Sequence, residues 1–197
     1  MREVELKSVA PEPDAVIAAL LAAGATATFT GRLTDRRYDT GAGSLLARDH
    51  VLRLRVYTGA GATRACLDWK GPTTYADGYK VRDEVSTDVL DAAALAQLLE
   101  GLGYVVIAEI DRDIAQFACR GAAVRVERYP RMDALVEVEG TPETIEAAIA
   151  ATGLPRAGFT AERLPDFARR FELRTGQRAA LCERELAGDY RYSAADA

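Results

Sequence analysis

Six short stretches of this chain place charged residues two positions apart. Glu3, Glu5 and Lys7 alternate with Val4 and Leu6, and Arg53 and Arg55 with Leu52, Leu54 and Val56. Asp68 and Lys70 alternate with Leu67 and Trp69, and Lys80, Arg82 and Glu84 with Val81, Asp83 and Val85. Arg125 and Glu127 alternate with Val124 and Val126, and Glu137 and Glu139 with Val136 and Val138. In an extended chain such residues share a face, so each stretch reads as a strand with one ionic and one mainly apolar side. The signs segregate. Glu3, Glu5, Glu127, Glu137 and Glu139 make an acidic set, which suits Mg²⁺ or Mn²⁺ because those ions prefer hard oxygen ligands. Arg53, Arg55, Lys70, Lys80 and Arg82 make a basic set, which suits phosphate.

Other chemistries lack their residues. His50 is the only histidine, and Cys66, Cys119 and Cys182 are far apart, so a cysteine–histidine zinc site is excluded. A catalytic triad is excluded too, unless His50 is its base. No GxxxxGK[ST] loop is present. His50, Trp69 and the cysteines read as structural, the cysteines as small buried apolar residues and Trp69 as cover on the outside of the sheet. Of 25 basic residues only Lys7, Lys70 and Lys80 are lysines. A compact ammonium retained against such an arginine bias points to positions that need the smaller head.

The elements that must position these residues are legible. Strands are expected at 2–9, 26–40, 50–58, 64–70, 79–89, 104–118, 122–129 and 134–139. Helices are expected at 13–23, 91–101 with Asp91 as N-cap, 141–152 and 164–175. The stretch 177–197 reads as a polar tail after a single domain over 1–176. This is an α+β pattern rather than an alternating doubly wound one. An open sheet with one wet face explains any one such strand. Six strands whose polar faces are nearly all ionic point instead to a closed eight-stranded antiparallel β-barrel with charges inward and helices packed outside. Closure sets the acidic first strand beside the acidic late strands and opposite the basic ones. A ligand with three or four negative charges, bridged to the carboxylates by divalent metal, satisfies both walls, which describes a nucleoside triphosphate or another triphosphate.

The chain has 197 residues, 49% hydrophobic and 28% charged, with a net charge of −5. That is the composition of a folded soluble protein. No apolar run reaches the ~20 residues of a membrane helix, and the charged start lacks a signal-peptide core. A cytoplasmic protein with no membrane or nucleic-acid partner is expected.

The order of these residues resembles the CYTH superfamily, the triphosphate tunnel metalloenzymes, over roughly residues 2–175. The resemblance is carried by Glu3-Val4-Glu5-Leu6-Lys7, Asp35-Arg36-Arg37-Tyr38-Asp39-Thr40, Leu52-Arg53-Leu54-Arg55, Leu67-Asp68-Trp69-Lys70-Gly71-Pro72, Lys80-Val81-Arg82-Asp83-Glu84 and Val136-Glu137-Val138-Glu139. The third-last and second-last of these most resemble the class IV adenylyl cyclase branch. The resemblance implies that Glu3, Glu5, Glu127, Glu137 and Glu139 hold two Mg²⁺ or Mn²⁺ ions. It implies that Lys7, Arg53, Arg55, Lys70, Lys80, Arg82, Arg112 and Arg125 hold the triphosphate, and that the helix near 164–175 plugs or lines one tunnel end. The family's Lys-x-Arg stands here as Ile110-Asp111-Arg112, which leaves Lys80 or Asp35 to take the missing lysine's catalytic part. The implied activity is cyclisation of ATP to cyclic AMP and pyrophosphate. The alternatives are hydrolysis of thiamine triphosphate, inorganic triphosphate or a nucleotide, and non-catalytic binding of polyphosphate or nucleotide. The implied state is a monomer or homodimer.

Overall fold

A computed structural model describes residues 2–191. Of the expected tail, residues 192–197 lie outside the described residues, as does Met1. The elements are β1 (Arg2–Val9), α1 (Pro13–Ala22), β2 (Thr26–Thr40), β3 (Val51–Gly59), β4 (Thr63–Lys70), β5 (Thr74–Ala76) and β6 (Tyr79–Val89). They continue with α2 (Ala92–Gly101), β7 (Tyr104–Cys119), β8 (Ala122–Arg128), β9 (Leu135–Glu139), α3 (Pro142–Thr152), α4 (Leu164–Thr175) and α5 (Glu183–Leu186).

Strands run in the order β1-β9-β8-β7-β2-β3-β4-β6, each pair antiparallel, and β6 pairs back onto β1 to close the ring. The expected eight-stranded antiparallel barrel is therefore present. One strand was not expected: β5 pairs with β6 through Thr74↔Val81 and Ala76↔Tyr79. Its three residues, between Pro72 and Asp77-Gly78, are too few to show an alternation.

Helices cover the outside because the apolar faces of the strands point there. Leu6, Val124, Val126, Val136 and Val138 pack against Val16 and Leu20 of α1 and Ile145 and Ile149 of α3. Across the barrel, Tyr38, Leu54 and Leu67 pack under Leu95 and Leu99 of α2. Local signals start these helices. Pro13 opens α1, the Asp91 carboxylate accepts the Ala94 N–H at 2.9 Å, and Thr141 and Thr144 form a reciprocal cap on α3. Residues beyond 176 contribute more than their composition suggests. Ala179–Cys182 are buried, Ala180 pairs with Arg131, and the Leu181 carbonyl accepts the Asp111 N–H at 2.8 Å. No helix among the described residues is long and apolar enough to cross a membrane.

In the pairing of β2 with β3, Gly31 faces Gly59. A methyl group at Gly31 would sit 2.3 Å from the Thr58 carbonyl oxygen and 3.1 Å from the Phe29 ring. Gly31→Ala is expected to cost about 1–3 kcal/mol, read as a lower urea midpoint. An unchanged midpoint would mean the two strands can part there without loss.

Candidate active site

The barrel encloses a cavity of about 310 Å³. Every residue that the sequence reading assigned to metal, triphosphate or catalysis lines it: Glu3, Glu5, Glu127, Glu137 and Glu139; Lys7, Arg53, Arg55, Lys70, Lys80, Arg82, Arg112 and Arg125; and Asp35. Eleven cationic and nine carboxylate side chains surround the cavity. Its wall is thus net positive in a chain of net charge −5, a balance that favours a polyanion.

Strand register builds the acidic wall. β1 sets Glu3 opposite Arg82 and Glu5 opposite Lys80 on β6; on its other edge Glu5 faces Glu139 and Lys7 faces Glu137 on β9. All three lysines of the chain turn onto these acids. Lys70 Nζ donates to both Glu3 oxygens at 2.6 and 2.7 Å and lies 3.1 Å from Glu84. Lys80 Nζ donates to Glu5 at 2.5 Å, and Lys7 Nζ bridges Glu5 at 2.6 Å and Glu137 at 2.7 Å. Burial works against ionisation of Glu5, but the ammonium groups, Lys7 foremost, hold it down at about 2 against the neighbouring Glu137 charge. Glu139 lacks such help: burial first, then the Glu137 and Glu3 carboxylates, push it up to about 7. Burial also lowers Lys80, with the Lys7 charge adding to the effect and Glu5 resisting it.

The opposite wall is ordered by paired forks. Asp35, 1% exposed, accepts two bonds from Arg55 at 2.7 and 2.8 Å and one from Arg112 at 3.0 Å, with Arg53 at 3.6 Å. Burial would raise its carboxyl, but the Arg55, Arg53 and Arg112 charges hold it well below the usual carboxylate range. Glu127 accepts from Arg112 at 2.9 Å and from the Tyr129 hydroxyl at 2.5 Å. Arg125 donates to Glu137 at 2.8 Å, and Arg53 donates twice to Asp68 at 2.6 and 3.0 Å. The bidentate Arg55–Asp35 contact fixes a guanidinium plane as well as its position, and Arg112 is held from two sides by Asp35 and Glu127.

Several lining residues were not singled out from sequence. Arg37 lies two positions after Asp35 on β2, and its signal was present in that alternation. Arg163 enters from the start of α4 beside Leu164 and Pro165, where no strand pattern could mark it. Cys66 also lines the cavity, half-buried, unlike the fully buried Cys119 and Cys182. Burial and then Asp68 push its thiol up, so it is not poised as a thiolate. Not all of the inward face is ionic: Leu33, Tyr57 and Ile114 cluster with Phe29 and Cys66. Ile110, at the position of the family's lysine, packs with Tyr129, Leu135, Phe167 and Leu181, joining the barrel to α4 and the C-terminal segment. His50 and Trp69 meet edge to face, ring centres 5.3 Å apart, and neither lines the cavity.

The donor chemistry fits a hard divalent cation. Glu3, Glu5 and Glu137 supply carboxylate oxygens, and each already holds a cation, an ammonium group, at 2.5–2.7 Å. Among the described residues no three acidic, histidine or cysteine side chains converge as a ready metal cage; the lysines stand between the acids.

The sequence profile of the CYTH domain matches residues 1–129. No curated protein matches the chain. Solved structures share the fold. An adenylate cyclase candidate from Vibrio parahaemolyticus is 20% identical, with a TM-score of 0.71 over 84% of this chain and 96% of that one. A Pyrococcus horikoshii OT3 protein is 19% identical, with a TM-score of 0.69 over 89% and 99%. An adenylyl cyclase candidate from Hippeastrum, described as having a dominant triphosphatase activity, is 19% identical, with a TM-score of 0.61 over 91% and 98%.

Asp35 organises three arginines, so Asp35→Asn is expected to destabilise the chain by about 3–5 kcal/mol at pH 7. A folded pKa below the unfolded one adds stability that is present above about pH 3.8 and is lost as acidity rises. The gap between wild type and variant should therefore narrow from pH 5 to pH 2. Chemical denaturation across that range checks this, and a gap independent of pH would show that ionisation of Asp35 is not its source.

Proposed function

This chain belongs to the CYTH domain family, and we propose that its tunnel is a divalent-cation-dependent site that hydrolyses a triphosphate chain. The observation that carries the reading is one buried cavity with a carboxylate wall and a fork-ordered guanidinium wall facing each other. Tripolyphosphate carries the charge that such a pair of walls requires.

Glu3, Glu5, Glu137 and Glu139 would hold the metal, Mg²⁺ or Mn²⁺, while Glu127, the fifth carboxylate the resemblance implies, is taken up by Arg112 and the Tyr129 hydroxyl. Bound there, it would neutralise phosphate oxygens and make a coordinated water more acidic. Arg55 and Arg112 would bind the phosphate oxygens in planes already set by Asp35 and Glu127, with Arg125 beside them, so stabilising charge that grows on the leaving phosphates needs little reorganisation. Lys7 and Lys70 would turn from carboxylate to phosphate as the acids find another cation. In the reaction, water adds to the terminal phosphorus, the bridging P–O bond breaks, and orthophosphate and diphosphate leave. Of the two candidates for receiving the water's proton, Lys80 is favoured: burial lowers its basicity, whereas the Asp35 carboxylate, held by three arginines, is too weak a base. A second reading, cyclisation of ATP, is favoured by Ile110 and Leu164, which pack in one apolar cluster and line the cavity, an apolar surface against which a flat ring could lie.

Incubation with tripolyphosphate, thiamine triphosphate or ATP, each with Mg²⁺ or Mn²⁺, tests these readings. Orthophosphate release from tripolyphosphate that a chelator abolishes is expected. Cyclic AMP as the main product would instead establish the second reading, and binding without turnover would make the chain a polyphosphate binder. Glu5→Gln should lower turnover by about 100-fold or more with the circular dichroism unchanged. Because the chain has only three lysines, carbon-13 labelling at Cε yields three assignable signals. Mg²⁺ should shift all three as the carboxylates change partners, and signals unmoved at saturating Mg²⁺ would contradict metal binding by Glu3, Glu5 and Glu137.

A further inference from the structure

Arg112 stands between two carboxylates, and part of what holds it there comes from outside the barrel strands. Its Nε donates to one Glu127 oxygen at 2.9 Å and its Nη1 donates to Asp35 at 3.0 Å. The other Glu127 oxygen is taken by the Tyr129 hydroxyl, which donates at 2.5 Å. Tyr129 directly follows β8 and is buried. It packs in one apolar cluster with Ile110, Leu135, Phe167 of α4 and Leu181. A phenol held in that way leaves the Glu127 carboxylate little freedom, with its second oxygen turned to Arg112.

The same end of the barrel is gripped by residues that come after α4. Ala180 and Arg131, two positions beyond Tyr129, exchange backbone bonds at 2.8 and 3.1 Å. The Leu181 carbonyl accepts the Asp111 N–H at 2.8 Å, and the Asp111 carboxylate accepts the Glu183 N–H at 3.2 Å. Asp111 is the neighbour of Arg112 on β7. The Glu185 carboxylate accepts the Leu181 N–H at 2.6 Å, which fixes Leu181 from its other side. A path of contacts thus runs from the C-terminal segment through Tyr129 and Glu127 to Arg112, and on through Asp35 to Arg55. All of Tyr129–Arg131 and 179–185 fall at or beyond the end of residues 1–129, the span of the family match.

We infer that Tyr129 is a positioning residue for Arg112: supported by Phe167 and Leu181, its hydroxyl commits Glu127 to orienting that guanidinium and withholds it from the metal. The inference rests on the hydrolytic reading above, in which Arg112 meets the charge that grows on the leaving phosphates. It deepens that reading by dividing the acids, with Glu3, Glu5, Glu137 and Glu139 serving the cation and Glu127 serving the arginine. A guanidinium oriented for charge that develops late acts on turnover more than on substrate binding.

Tyr129→Phe keeps the ring and removes the one bond. The nitrogen-15 signal of the Arg112 Nε–H, assigned by its loss in Arg112→Lys, should exchange with water about five times faster in Tyr129→Phe than in wild type, with the circular dichroism unchanged. Leu181→Ala should move it in the same direction. On tripolyphosphate with Mg²⁺, Tyr129→Phe should lower kcat about tenfold and leave KM within about twofold. Glu127→Gln, titrated with Mg²⁺ by calorimetry in the absence of substrate, should bind it within about twofold of wild type. An Arg112 signal unmoved in Tyr129→Phe, a loss carried by KM alone, or a Mg²⁺ affinity lowered about tenfold or more in Glu127→Gln would overturn the assignment. If wild type turned over no triphosphate, the hydrolytic reading would fall, and the Arg112 signal with the Mg²⁺ titration would still decide the part played by Tyr129.

Discussion

Charge taken out of water must be answered by charge nearby, and this barrel meets that requirement inside its own wall. An isolated buried carboxylate or ammonium costs several kcal/mol, yet Glu3, Glu5, Asp35, Asp68, Glu127 and Glu137 are all buried. Each is held by a cation from another strand: Lys70 on Glu3, Lys80 on Glu5, Arg55 on Asp35, Arg53 on Asp68, Arg112 on Glu127 and Arg125 on Glu137. These pairs cross-link the ring as well as neutralise it. Antiparallel register decides who meets whom, so a slip of one residue would turn every ionic face outward and every valine inward. Function and fold specificity therefore rest on the same contacts.

The inversion of the barrel has a second effect, on its exterior. Strands whose inward side is ionic must bury their other side somewhere, and α1, α2 and α3 supply the cover. The largest apolar cluster lies between helices and barrel wall rather than on the barrel axis. The axis is thereby left to chemistry, with apolar groups such as Ile110 and Ile114 entering only in two local clusters.

Much of this was readable from two-residue alternation, because that period reports directly on which side chains share a face. Glu3, Glu5 and Lys7, or Arg53 and Arg55, could be grouped before any pairing was known, and closure followed from the ionic character of six faces together. What escaped the reading depends on tertiary contact. In β2, Leu33, Asp35 and Arg37 share one parity, yet Leu33 joins an apolar cluster while the other two line the cavity; alternation cannot separate those environments along one strand. Arg163 belongs to no strand, and its place depends on how the segment before α4 crosses the barrel. Ala179–Cys182 look unremarkable in a polar stretch until Arg131 and Asp111 are found bonded to them.

The lysines carry one more implication. Lys7, Lys70 and Lys80 all face the cavity, so the outer surface presents no ε-amino group. Acylation, ubiquitin-like ligation or amine coupling to a solid support would meet side-chain targets only within the cavity. A protein of this design is shielded from lysine-directed tagging over its exterior, and a small reagent that entered would meet amines already paired with carboxylates.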